Sequence, residues 1–443
     1  MLTASSYFPG ILQYISIPVN KNAPLLKPHT KDSRWPVMIF SHGLGGSRNT
    51  YSHLIGSIAS HGVIVIAPEH RDGSTPISYI RDVPSTNSPT EKTSTNKSTR
   101  TVDYLRLSHT PSPEVEAGRN AQLRIRLWEL GLIHQSLLSV DENVPLTNLN
   151  TSSVSLAQFA SQMGVHKPGS ITFAGHSFGA ATVAQFVKSV YCSPKNAEAP
   201  KEYTPLFTPS SRSLITTQIT PNTPVILLDV WCLPLRAQTT RWLWNQPFPC
   251  YSENGPGGAA LLAVESQAFF KWKVHLKATK RLLSPNPASD EYDYAKEGGG
   301  EWTRPNFFYA SNSAHLSQSD FGILFRTITK RLFSVEEPER VLRLNVRAAL
   351  QVMRNQGIEV SKTCEADMEL EKGANIETND DGGILERKGI RSWNWISTDV
   401  SEIEGDDEAV ALGRGKMEGK TEPSEAVIAN EVMKENKGTS ERL

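Results

Sequence analysis

Short apolar runs rich in β-branched residues recur along this chain, each closed by turn-forming or small polar residues. They are Val37-Met-Ile-Phe40, Val63-Ile-Val-Ile-Ala67, Ile171-Thr-Phe-Ala174, Val225-Ile-Leu-Leu228, Ala260-Leu-Leu-Ala-Val264 and Phe307-Phe-Tyr-Ala310. Unbroken apolar character, rather than alternation, suits strands buried on both faces, so these runs predict a parallel sheet. Between them lie stretches with helical spacing. Tyr51–His61 is one, and a second is capped at Asn120 with Leu123, Leu127 and Leu130 on one face. A third begins just after Gly179, and Asp320–Phe333 and Glu336–Gly357 read as closing helices. Alternation of this kind predicts an α/β fold with helices on both faces of the sheet.

Two segments break the pattern. Pro84–Pro113 is dominated by Ser, Thr, Asn and Pro and is expected to be a polar, disordered surface insertion. From about Lys362 the chain is rich in Glu, Asp, Lys and Gly, with Trp393 and Trp395 as the main exceptions, and a disordered tail is expected. The expected organisation is a catalytic domain over residues 1–361 and a charged tail over 362–443.

Lys+Arg and Asp+Glu both total 46, so formal net charge is zero and no long-range field draws in nucleic acid. No apolar run is long enough to span a bilayer. Neither a signal peptide nor a myristoylation glycine is visible at the N-terminus, which makes the cytoplasm the default expectation. The four cysteines, Cys192, Cys232, Cys250 and Cys364, lack metal-ligand spacing. Isolated thiols are expected, although Cys232 and Cys250 could pair in an oxidising compartment.

The chemistry is carried by Gly175-His176-Ser177-Phe178-Gly179, a G-x-S-x-G between an apolar strand and the helix-compatible run Ala180-Ala-Thr-Val-Ala-Gln-Phe. That context is the nucleophile elbow of the α/β-hydrolase fold, with Ser177 as nucleophile. Ser41-His42-Gly43-Leu44-Gly45-Gly46 follows the first strand, where this fold supplies an oxyanion-hole amide. The expected donors are the N–H groups of Leu44 and Phe178. Chain order in the fold is Ser, then acid, then His. Asp229 closes the first convincing strand after Ser177, and a carboxylate there must be solvated, paired or functional. Among eleven histidines, only His315 follows a late strand through a short polar loop. His70 and His166 precede the nucleophile, and His275 reads as a solvated helix position. The expected mechanism is an acyl-enzyme on Ser177 with His315 as base and Asp229 orienting it; neither a metal nor a cofactor is expected.

Beyond the elbow, several segments strongly resemble platelet-activating factor acetylhydrolases of the plasma and cytosolic type II group. They are Phe40-Ser-His-Gly-Leu-Gly46, Ala59-Ser-His-Gly62, Glu69-His-Arg-Asp72, Gly175-His-Ser-Phe-Gly-Ala-Ala-Thr-Val183, Leu228-Asp-Val-Trp-Cys-Leu-Pro-Leu235 and Ser313-Ala-His-Leu-Ser-Gln-Ser-Asp-Phe321. Arg119–Glu129 is similar to a basic helix of that family. The resemblance spans roughly Tyr7 to Gly357. It implies calcium-independent hydrolysis of the sn-2 acetyl, or other short or oxidised acyl, ester of phospholipids, and hence a phospholipid substrate. Trp231, Leu235, Trp242 and Trp244 are candidates for an acyl-pocket wall or core, or for a patch in peripheral contact with a membrane surface. A general carboxylesterase on non-lipid esters shares the same triad. A catalytically dead binding protein on this scaffold is the remaining alternative.

Overall fold

The computed structural model describes residues 16–17, 19–81, 99–150, 155–294, 303–333, 335–368, 381–386 and 389–400. Each predicted apolar run forms a strand: β1 (Val37–Ser41), β2 (Ile64–Ile66), β5 (Ile171–His176), β6 (Val225–Leu228), β7 (Leu261–Ser266) and β8 (Asn306–Ala310). They join a seven-stranded sheet in the order β2-β1-β5-β6-β7-β8-β9, where β9 is Trp393–Trp395. All pairings in it are parallel except β8 with β9. This is the α/β-hydrolase architecture, and its carboxyl edge gathers the loops after β1, β5, β6, β7 and β8.

Because side chains alternate along a strand, the same runs feed two cores. Val37, Ile39, Phe173, Val225, Leu227 and Phe307 face one side. They pack under helices α2 (Pro113–Asp141), α3 (Phe178–Tyr191) and α5 (Lys273–Leu283). Met38, Phe40, Ala174, Ile226, Leu228 and Phe308 face the other, under α1 (Ser52–Ser60) and α8 (Pro338–Asn355). Short helix α4 (Gln267–Lys271) follows β7, and α6 (Phe321–Leu324) and α7 (Arg326–Phe333) follow β8.

Four expectations are corrected. The second helix starts at Pro113, not Asn120: the Ser112 hydroxyl accepts the Val115 amide at 3.2 Å and proline stands in the first turn. Asn120 is buried mid-helix and donates from Nδ2 to Thr239 Oγ1. The expected helix Asp320–Phe333 is two pieces, α6 and α7, broken at Phe325. The Pro84–Pro113 insertion is ordered at its far end, where β4 (Thr99–Asp103) pairs antiparallel with β3 (Ile77–Arg81); residues 84–98 lie outside the described residues.

Finally, the folded domain reaches Val400 rather than residue 361. Tail residues Ile384 and Val400 are fully buried, and Trp393 stacks on Phe308 with centroids 5.0 Å apart. Arg347 of α8 donates from Nε and Nη2 to the two Asp381 oxygens at 2.7 and 2.8 Å. Charge-rich composition hid these few apolar anchors. Residues 401–443, the rest of the expected tail, lie outside the described residues.

Candidate active site

The turn from β5 into α3 leaves Ser177 at φ 56° and ψ −118°, a region side chains rarely adopt. Its amide donates to the Leu228 carbonyl at 2.8 Å, and its carbonyl accepts the Ala181 amide at 3.0 Å and the Trp231 amide at 3.2 Å. The strained conformation is therefore held from both sides. The flanking glycines follow from space rather than flexibility. A Cβ on Gly179 would stand 2.0 Å from the Ser41 carbonyl oxygen, and one on Gly175 would stand 2.5 Å from the Gly179 backbone. The elbow thus lies directly on the end of β1.

The loop after β1 sorts its amides by partner. Gly43 N–H donates to the Tyr51 hydroxyl at 2.9 Å, Gly45 N–H to the Ser74 carbonyl at 2.7 Å, and Gly46 N–H to the Gly43 carbonyl at 3.3 Å. The amides of Leu44 and of Phe178, first residue of α3, take no acceptor among the described residues. Two donors left open at the elbow are what a developing oxyanion requires.

Asp229 follows β6 directly, at φ 42°, with its amide bonded to the Val264 carbonyl at 2.8 Å. Its buried carboxylate accepts the Ser266 amide on Oδ1 at 2.5 Å and faces His315 Nδ1 from Oδ2 at 3.0 Å. Burial raises this carboxyl above its ordinary value, opposed by the hydrogen bond and charge of His315 and by the Ser266 amide. The His315 ring lies flat on Phe269, with centroids 4.4 Å apart and planes 7° apart, and its centroid is also 4.4 Å from that of the tilted His176 ring. Packed against two rings, the imidazole keeps the orientation that Asp229 gives it.

Of the residues singled out in the sequence, Asp229 and His315 are brought into direct hydrogen bonding. Ser177 stands next to His176 at the adjoining strand end, and its hydroxyl makes no hydrogen bond to any described residue. Nucleophile and base often close their hydrogen bond only with substrate present. His176, Asp229 and His315 each offer a ligand-type atom within 4.8 Å of one another. Those of Asp229 and His315 face each other, and His176 Nδ1 is bonded to the Tyr51 hydroxyl at 2.9 Å.

Of the two alternatives left open for the tryptophan cluster, burial supports the core, and one histidine was misread. Trp231, Leu235 and Trp244 are buried in the core, and Trp242 is partly buried with its ring 4.7 Å from Tyr203, so the first three offer no face to a membrane. Trp231 packs edge-on to Phe178 at the elbow and under the Arg119 guanidinium, 5.2 Å from its ring centroid. His275 is buried rather than solvated: Nε2 accepts the Cys232 amide at 3.2 Å, and burial pushes its pKa down to about 3. Tyr51 and Phe269 are invisible as site residues before the fold is known, because aromatic contacts between distant segments leave no periodic trace. All four cysteines are free thiols.

Comparison with known proteins adds the lineage. The profile of the family described as platelet-activating factor acetylhydrolase, isoform II, matches residues 4–249, more than half of the 443-residue chain. The chain belongs to this family. A putative phospholipase A2 of Schizosaccharomyces pombe is 27% identical over 408 residues, which cover 88% of this chain and 79% of that protein. The platelet-activating factor acetylhydrolase of Cavia porcellus is 33% identical over 189 residues, 42% of this chain and 39% of that one. The chain therefore spans about two fifths of the length of that relative. A ferulic acid esterase from Streptomyces cinnamoneus superposes with a TM-score of 0.36 and 13% identity, covering 73% of this chain and 67% of its own. That likeness is loose, and the fold assignment rests on the sheet order and the elbow. By fold and by membership in the acetylhydrolase family, the chain is a carboxylic ester hydrolase.

Proposed function

We propose that this chain hydrolyses the sn-2 acetyl, or other short or oxidised acyl, ester of phospholipids through an acyl-enzyme on Ser177. One observation carries the reading. The Asp229–His315 hydrogen bond of 3.0 Å lies at the same sheet edge as the elbow, with two rings packed against the imidazole. Asp229 holds the proton on Nδ1, so that Nε2 is the ring atom that takes the Ser177 hydroxyl proton as the serine attacks the ester carbonyl. The oxyanion meets the Leu44 and Phe178 amides, each such donor contributing about 2.7–4 kcal/mol to the transition state in a well-studied hydrolase. The imidazolium returns the proton to the departing lyso-lipid oxygen. Water, deprotonated by His315, then releases the acid and restores the serine.

The phospholipid substrate is supported by the family and by the names of its relatives, a platelet-activating factor acetylhydrolase and a putative phospholipase A2. The test is hydrolysis of acetyl- against long-chain phosphatidylcholine by wild type and Ser177→Ala, alongside labelling by a fluorophosphonate probe. We expect release of acetate and labelling by the wild type, both lost in Ser177→Ala. Labelling that persists in Ser177→Ala would remove the serine from the mechanism. Labelling without acetate release would leave a serine esterase with another substrate.

A further inference from the structure

Beneath the oxyanion loop lies a second set of serine, histidine and carboxylate. Ser41 Oγ is 2.9 Å from His70 Nε2, and His70 Nδ1 is 2.7 Å from Glu129 Oε2. The three come from the end of β1, the loop after β2, and helix α2. Ser41 and His70 are fully buried, so no ester carbonyl reaches this serine. What it does touch is the elbow: Ser41 pairs in register with Gly175, and its carbonyl oxygen is the atom a Cβ on Gly179 would strike.

The residues leading to Leu44 are tied to the same set. His42 Nε2 accepts the His70 amide at 3.2 Å, so the His42 proton sits on Nδ1 and donates to the Gly43 carbonyl at 2.9 Å. The His42 carbonyl accepts Arg126 Nη1 at 2.8 Å, and Arg126 is itself held by Asp72 through Nε at 2.7 Å. Every step from Ser41 to Gly43 is thus pinned by side chains of α2, Tyr51 or the loop after β2. Leu44, the next residue, carries the open amide.

We propose that Ser41, His70 and Glu129 form a positioning relay that holds the Leu44 amide in place for the oxyanion, and that one proton on Glu129 loosens it. The inference rests on the reading of Ser177 as nucleophile and Leu44 as donor. Its logic is donor counting. An ionised Glu129 accepts the His70 Nδ1 proton, leaving Nε2 to accept the Ser41 hydroxyl proton. The Ser41 oxygen is then free to accept Arg126 Nη1, 3.5 Å away. A protonated Glu129 donates to Nδ1 instead, which puts the His70 proton on Nε2, aimed at Ser41 Oγ. The Ser41 proton must then turn towards a guanidinium that offers only donors, and a contact is lost.

The groups facing Glu129 place this exchange in the neutral range. Burial is the largest influence and, with the Asp72 charge, raises its pKa to about 7, while the Arg71 amide and the Arg126 and Arg71 charges pull it down. Its remaining neighbour, His70, is kept neutral by burial and by Arg126.

The test is the pH dependence of kcat for p-nitrophenyl acetate, from about pH 5.5 to 8.5, in the full chain and in Glu129→Gln and Ser41→Ala. Each protein is normalised to sites titrated with a fluorophosphonate, so that misfolded molecules do not count. In the wild type, protonation of the catalytic base and protonation of Glu129 both lower kcat, and the acid limb of log kcat steepens beyond a slope of 1. Glutamine keeps an acceptor for Nδ1 but cannot ionise, so Glu129→Gln returns the slope to 1 with kcat at pH 8 within about 3-fold of wild type. Ser41→Ala gives the same slope and a kcat lowered by about 10-fold at unchanged KM, as loss of donor geometry in the transition state requires. Identical limbs in wild type and Glu129→Gln, together with an unaltered kcat in Ser41→Ala, would overturn the relay. Because the soluble ester is the readout, failure on phospholipid refutes the substrate reading alone.

Discussion

Asp229 binds His315 with one carboxylate oxygen at 3.0 Å and the Ser266 backbone with the other at 2.5 Å. The acid is thereby fixed to β7 before it meets the imidazole. Asp229→Asn keeps the shape but removes the charge and permits the wrong tautomer. We expect kcat for p-nitrophenyl acetate to fall by on the order of 10⁴-fold with KM little changed, measured by steady-state kinetics.

The neighbouring residue, Glu265, is buried, and neither carboxyl oxygen meets a hydrogen-bond partner within bonding distance among the described residues. Burial, then the Asp229 charge, raises its pKa well above the ordinary range. The folded chain therefore holds a proton that the unfolded chain releases above about pH 4.3. Stability from this group falls as pH rises, by about 1.4 kcal/mol per unit until the folded group also ionises. Glu265→Leu is expected to flatten that slope and to raise stability at pH 8 by about 1–3 kcal/mol, read from urea midpoints at pH 5.5 and 8.

Trp244 is 3% exposed and packs in the same core as Leu235 and Phe248. Trp244→Ala should cost about 3–5 kcal/mol in urea unfolding. Co-sedimentation of the folded variant with phosphatidylcholine vesicles should match wild type, since the ring is shielded from any lipid surface.

Arg347 and Asp381 are both about 2% exposed at their side chains. Asp381→Ala strands a buried guanidinium without its carboxylate, with an expected loss of about 3–5 kcal/mol by urea unfolding. A chain ending at residue 361 loses this pair and β9 together, and should be recovered as insoluble protein.

The sheet was largely legible because burial on both faces writes itself as short unbroken apolar runs, and the candidate residues Ser177, Asp229 and His315 stand at or just beyond three of their ends. Where the signal is not periodic, the sequence misled. His275 looked solvated because lysines surround it, yet its own side chain turns inward on α5. The tryptophans after Asp229 have the composition of a lipid-facing patch, and only packing tells that from a core. Asn120 resembled a cap because the true start of α2, at Ser112, lies beside a proline-rich polar stretch. The Ser41–His70–Glu129 set joins three segments far apart in the chain, and chain order argued against His70 as the base without revealing what else it binds.

The antiparallel strand β9 covers β8 from far downstream. A ribosome therefore completes every parallel strand, the elbow and the His315 loop while the outer edge of β8 still presents unpaired backbone groups to solvent or to a chaperone. During that interval the face of Phe308 that Trp393 will cover is bare, and the nascent chain carries a template for strand exchange with its neighbours on the polysome. Synthesis of the last stretch to Trp395 is what closes that window, so slow codons between β8 and β9 would lower the yield of soluble enzyme without altering a single residue.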